Sequence, residues 1–243
     1  MEALIENYTQ ILKGIRVDQF AQGADDKYSG VFLPLPFEEY WSAKLKVMLV
    51  GRETAGWNTA NGLNTMQRAA GLGGATLAQV VDEAVLRYRG HLKLDGSKVI
   101  AISRSRFKQY YFRLAKELGL DPRALIYANV FAWDYDRQSP RARPPGELQE
   151  VASVSKQLLA AQIKHFKPDV IVFAAGVRGI DPMLRELFNE HFDSYVNVDV
   201  NSGKLWEFKA ANATCFRIAH PRATNGHGEF RDLVIERIKS RLV

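Results

Sequence analysis

Apolar and polar positions along the chain follow two periods in turn. Leu4, Ile5, Tyr8, Ile11, Leu12 and Ile15 recur at helical spacing and predict an amphipathic helix that ends near Gly14 to Arg16. Between residues 20 and 45 any period is lost at Gly23, Asp25, Asp26, Gly30, Pro34 and Pro36. Val47-Met48-Leu49-Val50 then run apolar without alternation, as suits a strand covered on both faces in a parallel sheet. A loop rich in glycine and asparagine spans Asn58 to Ala75, and Thr76 caps a helix carrying Leu77, Val80, Val81, Ala84, Val85 and Tyr88. A further helix opens at Ser105, turns Phe107, Tyr110, Tyr111, Leu114 and Leu118 inward and a basic face outward, and stops at Gly119 and Pro122.

Leu125 to Ala132 form a second buried run, interrupted by Asn129, and Trp133, Asp134, Tyr135 and Asp136 follow at its end. After a stiff loop of arginine and proline, a helix is predicted from about Glu147 to Phe166, a third strand over Asp169 to Gly176 and a helix from Pro182 to Phe192. Tyr195–Val200 and Lys204–Phe208, joined by Asn201-Ser202-Gly203, have the pattern of a hairpin at the margin of the sheet. Thr214 to Ala219 make the last core strand, and Phe230, Leu233, Val234, Ile238 and Leu242 mark a closing helix. Strands alternating with helices predict an α/β protein: a three-layer α/β/α sandwich around a central, mainly parallel, four-stranded sheet with right-handed crossovers. No linker, repeat or low-complexity stretch interrupts the pattern, so residues 1–243 are expected to form a single domain, with the helix in about the first 20 residues packing on it.

Composition narrows the class. At 47% hydrophobic and 25% charged residues, with no apolar run long enough for a bilayer, the chain reads as a soluble globular protein. The acidic, periodic amino terminus lacks the charge pattern of a signal peptide, so the expected location is the cytoplasm, with no membrane partner. Cys215 is the sole cysteine, which excludes an intramolecular disulfide and a cysteine-held zinc or iron–sulfur site within one chain. No cofactor and no metal are expected, and the chain is taken as a monomer. A net charge of +6, with a pI near 9.4, points to a polyanionic partner. The arginines come in groups: Arg104 and Arg106 with Lys108, then Arg137, Arg141 and Arg143, then Arg217 and Arg222. Guanidinium groups favour bidentate phosphate contacts.

Candidate chemistry sits at the strand ends. Ligands of open parallel sheets gather beyond the carboxyl ends of the strands, where Gly51-Arg52-Glu53, Asn129 and His220-Pro221-Arg222 would all lie. Gly51 and Gly56 relax the backbone around Glu53 and Trp57, so that amide groups can approach a phosphate or a flat ring. Each also has a plain structural use: Glu53 solvated or capping a helix, Asn129 bonded to neighbouring backbone and His220 satisfied by backbone at a strand end, while Phe107, Tyr110 and Tyr111 keep the helical period of core residues.

The order of these elements resembles the uracil-DNA glycosylase superfamily. There, a motif of Gly, a polar residue and an acid or amide follows the first core strand, and a His-Pro motif follows the last. Gly51-Arg52-Glu53 matches the first and His220-Pro221 the second. Tyr127, Pro144-Pro145-Gly146, Pro168-Asp169-Val170-Ile171-Val172 and Gly176 are similar in order and spacing, over roughly residues 45–240. Thr54-Ala55-Gly56-Trp57 stands where a proline and an aromatic usually wall out other bases, and Arg222-Ala223-Thr224 where the best-known branch has a Ser-Pro-Leu wedge.

The resemblance implies a monofunctional DNA N-glycosylase, a hydrolase that flips a damaged or modified base from duplex DNA and leaves an abasic site. Glu53 would orient or deprotonate water, His220 would donate to the departing base, and Asn129 would read the base edge. Gly51, Arg52, Trp57 and Asp134 would line the base site, while Arg137, Arg141, Arg143, Arg222 and Thr224 would hold DNA. The altered walls imply a base other than plain uracil, a bulkier modified one among the options. Some members of the superfamily excise glucosylated hydroxymethylcytosine from phage DNA in bacterial defence. Two other classes stay open: a nucleic-acid-binding module without catalysis, and a small-molecule hydrolase. Neither a Gly-x-Ser-x-Gly elbow nor a P-loop is present to support the latter.

Overall fold

The structure, a computed structural model, describes residues 1–20, 26–59, 66–71 and 74–241. Gly23 and Asp25, part of the predicted Asn58–Ala75 loop, and Leu242 of the predicted closing helix lie outside the described residues. In chain order the elements are α1 (Glu2–Lys13), the single turn α2 (Glu38–Trp41), β1 (Val47–Gly51), the single turn α3 (Met66–Ala69), α4 (Leu77–Arg89), β2 (Leu94–Asp95), β3 (Lys98–Val99), α5 (Arg106–Glu117), β4 (Leu125–Asn129), α6 (Pro145–Phe166), β5 (Val170–Phe173), α7 (Ile180–His191), β6 (Val196–Asn201), β7 (Leu205–Ala210), β8 (Ala213–Ile218) and α8 (Gly228–Lys239).

They divide between two compact units, each discontinuous in sequence. The first holds residues 1–35, 53–90 and 129–165; the second holds 36–52, 91–128 and 166–243.

The second unit contains the sheet. Its six strands run in the order β4-β1-β5-β8-β7-β6, which corrects the four-stranded sheet expected from the sequence. β1, β5 and β8 are parallel neighbours, with Val47 opposite Val170 and Val170 opposite Thr214. β7 and β6 extend the same sheet antiparallel to β8 and to each other. The reason is the connection between β7 and β8. Only Ala211 and Asn212 separate them, both at positive φ (52° and 61°), a two-residue turn whose twist suits a hairpin and is far too short for a parallel crossover.

Alternate residues of the parallel strands face opposite ways. Val47, Leu49, Val170, Val172, Phe216 and Ile218 pack with Phe107, Tyr111 and Leu114 of α5 and with Val234, Ile235 and Ile238 of α8 in one buried cluster. On the other face Phe173 and Phe208 meet Phe188 of α7, with ring centroids at 6.1 and 5.3 Å. Helices therefore cover both faces of this mixed, mainly parallel sheet, and all five residues of β1 are buried as the unbroken apolar run predicts.

In the first unit α1 packs on α4, whose start is fixed by a capping box between Thr76 and Gln79. A buried extended segment, Tyr28–Leu35, hydrogen-bonds the chain that follows Asn129: Phe32 N donates to Ala132 O and Ser29 N to Asp134 O, each at 2.8 Å. α6 begins at Pro145, two residues before its expected start, consistent with the preference of proline for the first helical turn. Among the described residues no helix is long and apolar enough to cross a membrane.

Candidate functional site

At the carboxyl end of the parallel strands in the second unit, the chain turns three times within a small region. β1 ends in Gly51-Arg52, Ala174 N donates to Val50 O beyond β5, and Gly176, at φ +91°, donates to Ile218 O. A residue with a side chain is strained at that φ, so glycine is required there. β8 then delivers Ala219 and the half-buried His220.

The loop after His220 is braced by its own backbone. Arg222 N donates to His220 Nδ1 at 3.1 Å, Ala223 N to His220 O at 2.8 Å and His227 N to Thr224 O at 2.9 Å. Arg231, in the first turn of α8, reaches back and donates through Nη1 to Ala223 O at 3.0 Å. Burial lowers the pKa of His220 to about 4, and the positive charges of Arg222, Arg52 and Arg231 add to the effect. The ring is therefore neutral at physiological pH. Because Nδ1 accepts the Arg222 amide, the single ring proton resides on Nε2, which makes His220 a hydrogen-bond donor. A neutral N–H donor in the field of three guanidinium groups suits an oxygen that gains negative charge.

This electrostatic setting has a direct test. Imidazole nitrogen shifts of His220 should report the Nε2–H tautomer from neutral pH down to about 5, with a titration midpoint near 4 rather than at the ordinary histidine value. The sign for stability follows. As pH falls the unfolded chain takes up this proton near 6.5, whereas the folded chain resists until about 4. His220 accordingly lowers stability progressively across that window and adds no penalty above it. A midpoint near 6.5 would mean that neither burial nor the arginines act on the ring.

The first unit holds the remaining candidates, and its organising group is Asp134, which is 1% exposed. Oδ2 accepts from the Thr54 hydroxyl, from Gly56 N at 2.9 Å and from Trp57 N at 3.3 Å, while Oδ1 accepts from Arg137 N at 3.0 Å. Its own amide donates to Ser29 Oγ at 2.9 Å. Four donors occupy this carboxylate, so Asp134 shapes the Thr54–Trp57 loop where the sequence pointed to a substrate contact. Glu53 opens that loop and is half-buried. Gly56 sits at φ +82°, and a Cβ there would come within 3.3 Å of the Arg137 side chain.

Trp57 lies edge-on to Phe32 with centroids 4.7 Å apart, and the Arg87 guanidinium stands 5.0 Å from its ring centre. Its indole Nε1 is buried and has no hydrogen-bond partner among the described residues. Asn129, 5% exposed, closes β4.

The three loop arginines differ. Arg137 is exposed, and Arg141 is half-buried in a single helical turn, Pro140–Ala142. Arg143 forms a two-pronged pair with Glu147 (2.8 and 3.2 Å) and lies 3.9 Å over the ring of Tyr135. Glu147, 6% exposed, also accepts from Tyr28 Oη at 2.9 Å. Arg143 thus fastens the loop to the start of α6, and its fork is not offered to a phosphate.

The sequence candidates are divided accordingly. Gly51, Arg52, His220, Arg222 and Thr224 belong to the second unit; Glu53, Trp57, Asn129, Asp134, Arg137, Arg141 and Arg143 belong to the first. The boundaries fall inside the motifs, at the Arg52–Glu53 and Ala128–Asn129 peptide bonds. Arg231, which reaches Ala223 across the loop, and Arg87, which stands against Trp57, carry no sequence motif and were not legible as site residues. Among the described residues no group of three or more His, Cys, Asp or Glu side chains is arranged to hold a metal ion. A scan against protein-family models and a search of curated proteins each found no match.

Proposed function

We propose that the chain is a DNA N-glycosylase of the uracil-DNA glycosylase type, acting on a modified base. The observation that carries this is His220: a half-buried, neutral imidazole that keeps its proton on Nε2 because Nδ1 accepts the Arg222 amide, within the field of Arg52, Arg222 and Arg231. Breaking an N-glycosidic bond leaves the electron pair on the base, and the base's carbonyl oxygen gains most of the new charge. A donor that stays neutral stabilises that oxygen without first giving up its proton, and the guanidinium charges add to the effect.

The other roles rest on the motif resemblance. Glu53 orients the attacking water, whose oxygen bonds the anomeric carbon as the bond to the base breaks, and takes up or relays the water's proton. Asn129 reads the base edge, and Trp57 offers a ring face. Arg222 and Thr224, both exposed on the loop after His220, meet the duplex. Thr54-Ala55-Gly56-Trp57 in place of a proline and an aromatic favours a bulky substrate, with glucosylated hydroxymethylcytosine the leading choice.

Duplexes carrying uracil, other deaminated bases, hydroxymethylcytosine or its glucosylated form test the proposal, scored for alkali-labile breaks. Abasic sites are expected with at least one modified cytosine and few or none with normal bases. Tight DNA binding without base release on any of them would favour a non-catalytic binding module.

A further inference from the structure

Between Lys93 and Arg106 the second unit carries a protrusion that the catalytic proposal does not use. β2 and β3 pair antiparallel, Leu94 opposite Val99 and Asp95 opposite Lys98, around a turn with Gly96 at φ +57°. Val99 packs against the buried cluster beneath α5, and Ile100 N donates to Lys93 O at 2.8 Å, closing the base of the hairpin. On the far side Ser105 N donates to Ser103 Oγ at 3.1 Å and Gln109 Nε2 to Ser103 O at 2.9 Å. The segment holding Ile102 is therefore pinned at both ends.

Ile102 is 83% exposed, Leu94 53% and Ile100 37%. Leaving an aliphatic side chain of this size in water forgoes the free energy of burying it. One such residue is ordinary on a protein surface, but three on one braced protrusion call for an occupant. Lys93, Lys98, Arg104 and Arg106 are all exposed around them, and Asp95 is the sole acid from 93 to 106. Four positive charges less one negative give this stretch a net +3.

Cations ringing an aliphatic knob complement a partner with a phosphate exterior and flat apolar faces within reach. Nucleic acid has both, and aliphatic wedges flanked by basic residues are a general means of parting stacked bases. An anionic membrane would share the charge complementarity, but interfacial anchors draw on Trp and Tyr, and no aromatic occurs from 93 to 106. We propose that the 93–106 protrusion is a second DNA contact, with Arg104 and Arg106 on phosphates and Ile102 inserted between neighbouring bases. The inference rests on the reading of this protein as one that acts on DNA.

The test uses full-length protein, a duplex bearing a fluorescent base analogue that brightens on unstacking, and no excisable base. Wild type should bind and brighten the analogue. Ile102→Ser, at a solvent-exposed position, should keep its unfolding midpoint and most of its affinity while losing several-fold of the brightening. Arg104→Gln with Arg106→Gln should weaken binding about tenfold and lower the salt slope by roughly two. Variants indistinguishable from a wild type that still binds and releases base would overturn the second contact and leave the glycosylase proposal standing. A wild type without duplex affinity would overturn both. Loss by Ile102→Ser of binding to vesicles containing phosphatidylserine, with DNA binding unchanged, would make the protrusion a membrane contact instead.

Discussion

Glu53→Gln is expected to lower the rate of base release by about a hundredfold or more, the scale associated with a general base or a preorganised charge. The substitution keeps the side chain's shape and removes its negative charge. DNA affinity should therefore change little, and the 54–57 loop should keep the hydrogen bonds that converge on Asp134. Single-turnover release on saturating substrate, set beside duplex binding by the same variant, separates these effects. Wild-type release by Glu53→Gln would remove Glu53 from the chemistry and with it the match of Gly51-Arg52-Glu53 to a catalytic motif. A parallel fall in binding and release would instead make Glu53 a loop or contact residue.

Much of the second unit was legible because burial on both faces leaves a simple trace. β1 and β5 are unbroken apolar runs, and β8 delivers His220-Pro221-Arg222 where the sequence placed it. The hairpin at the sheet's margin was legible from Asn201-Ser202-Gly203 and is β6–β7, but its direct pairing with β8 was not, since that hangs on the two-residue turn Ala211-Asn212 at positive φ, where alanine gives no turn signature. The β2–β3 hairpin was missed although Asp95-Gly96 is a turn signal, because its strands are two residues each and too short to show a period. Arg143 could have been read differently: Glu147 stands four residues on, at the spacing of a local ion pair. The place of His220 after β8 was legible, but its protonation was not, because it is set first by burial and then by charges that include Arg52, on β1's exit, and Arg231, on α8. The setting of a side chain such as this depends on groups that tertiary structure brings to it within its own unit.

Asp134 is the clearest instance, and it leads to the second large effect. The sequence shows an acid at a strand end, equally suited to bind substrate or to rival Glu53. The structure surrounds it with the Thr54 hydroxyl and three backbone amides, those of Gly56, Trp57 and Arg137. Asp134→Ala would strand these donors in a site that is 1% exposed, and each buried donor without an acceptor costs about 1–3 kcal/mol. Some would find water as the loop opens, so the expected loss is about 3 kcal/mol or more, read as a lower urea midpoint at an unchanged slope. Asp134→Asn should fall between. Its one carbonyl oxygen can serve the donors at Oδ2, which leaves its amide facing the Arg137 N–H, a single conflict of about 1–2 kcal/mol. Corrected for the fraction folded, Asp134→Asn should release base within about tenfold of wild type, the reverse of Glu53→Gln. If Asp134→Asn instead abolished release while its urea midpoint stayed at the wild-type value, Asp134 would be the working acid, and the hydrogen bonds from Gly56 and Trp57 would be positioning a catalytic group in place of a loop.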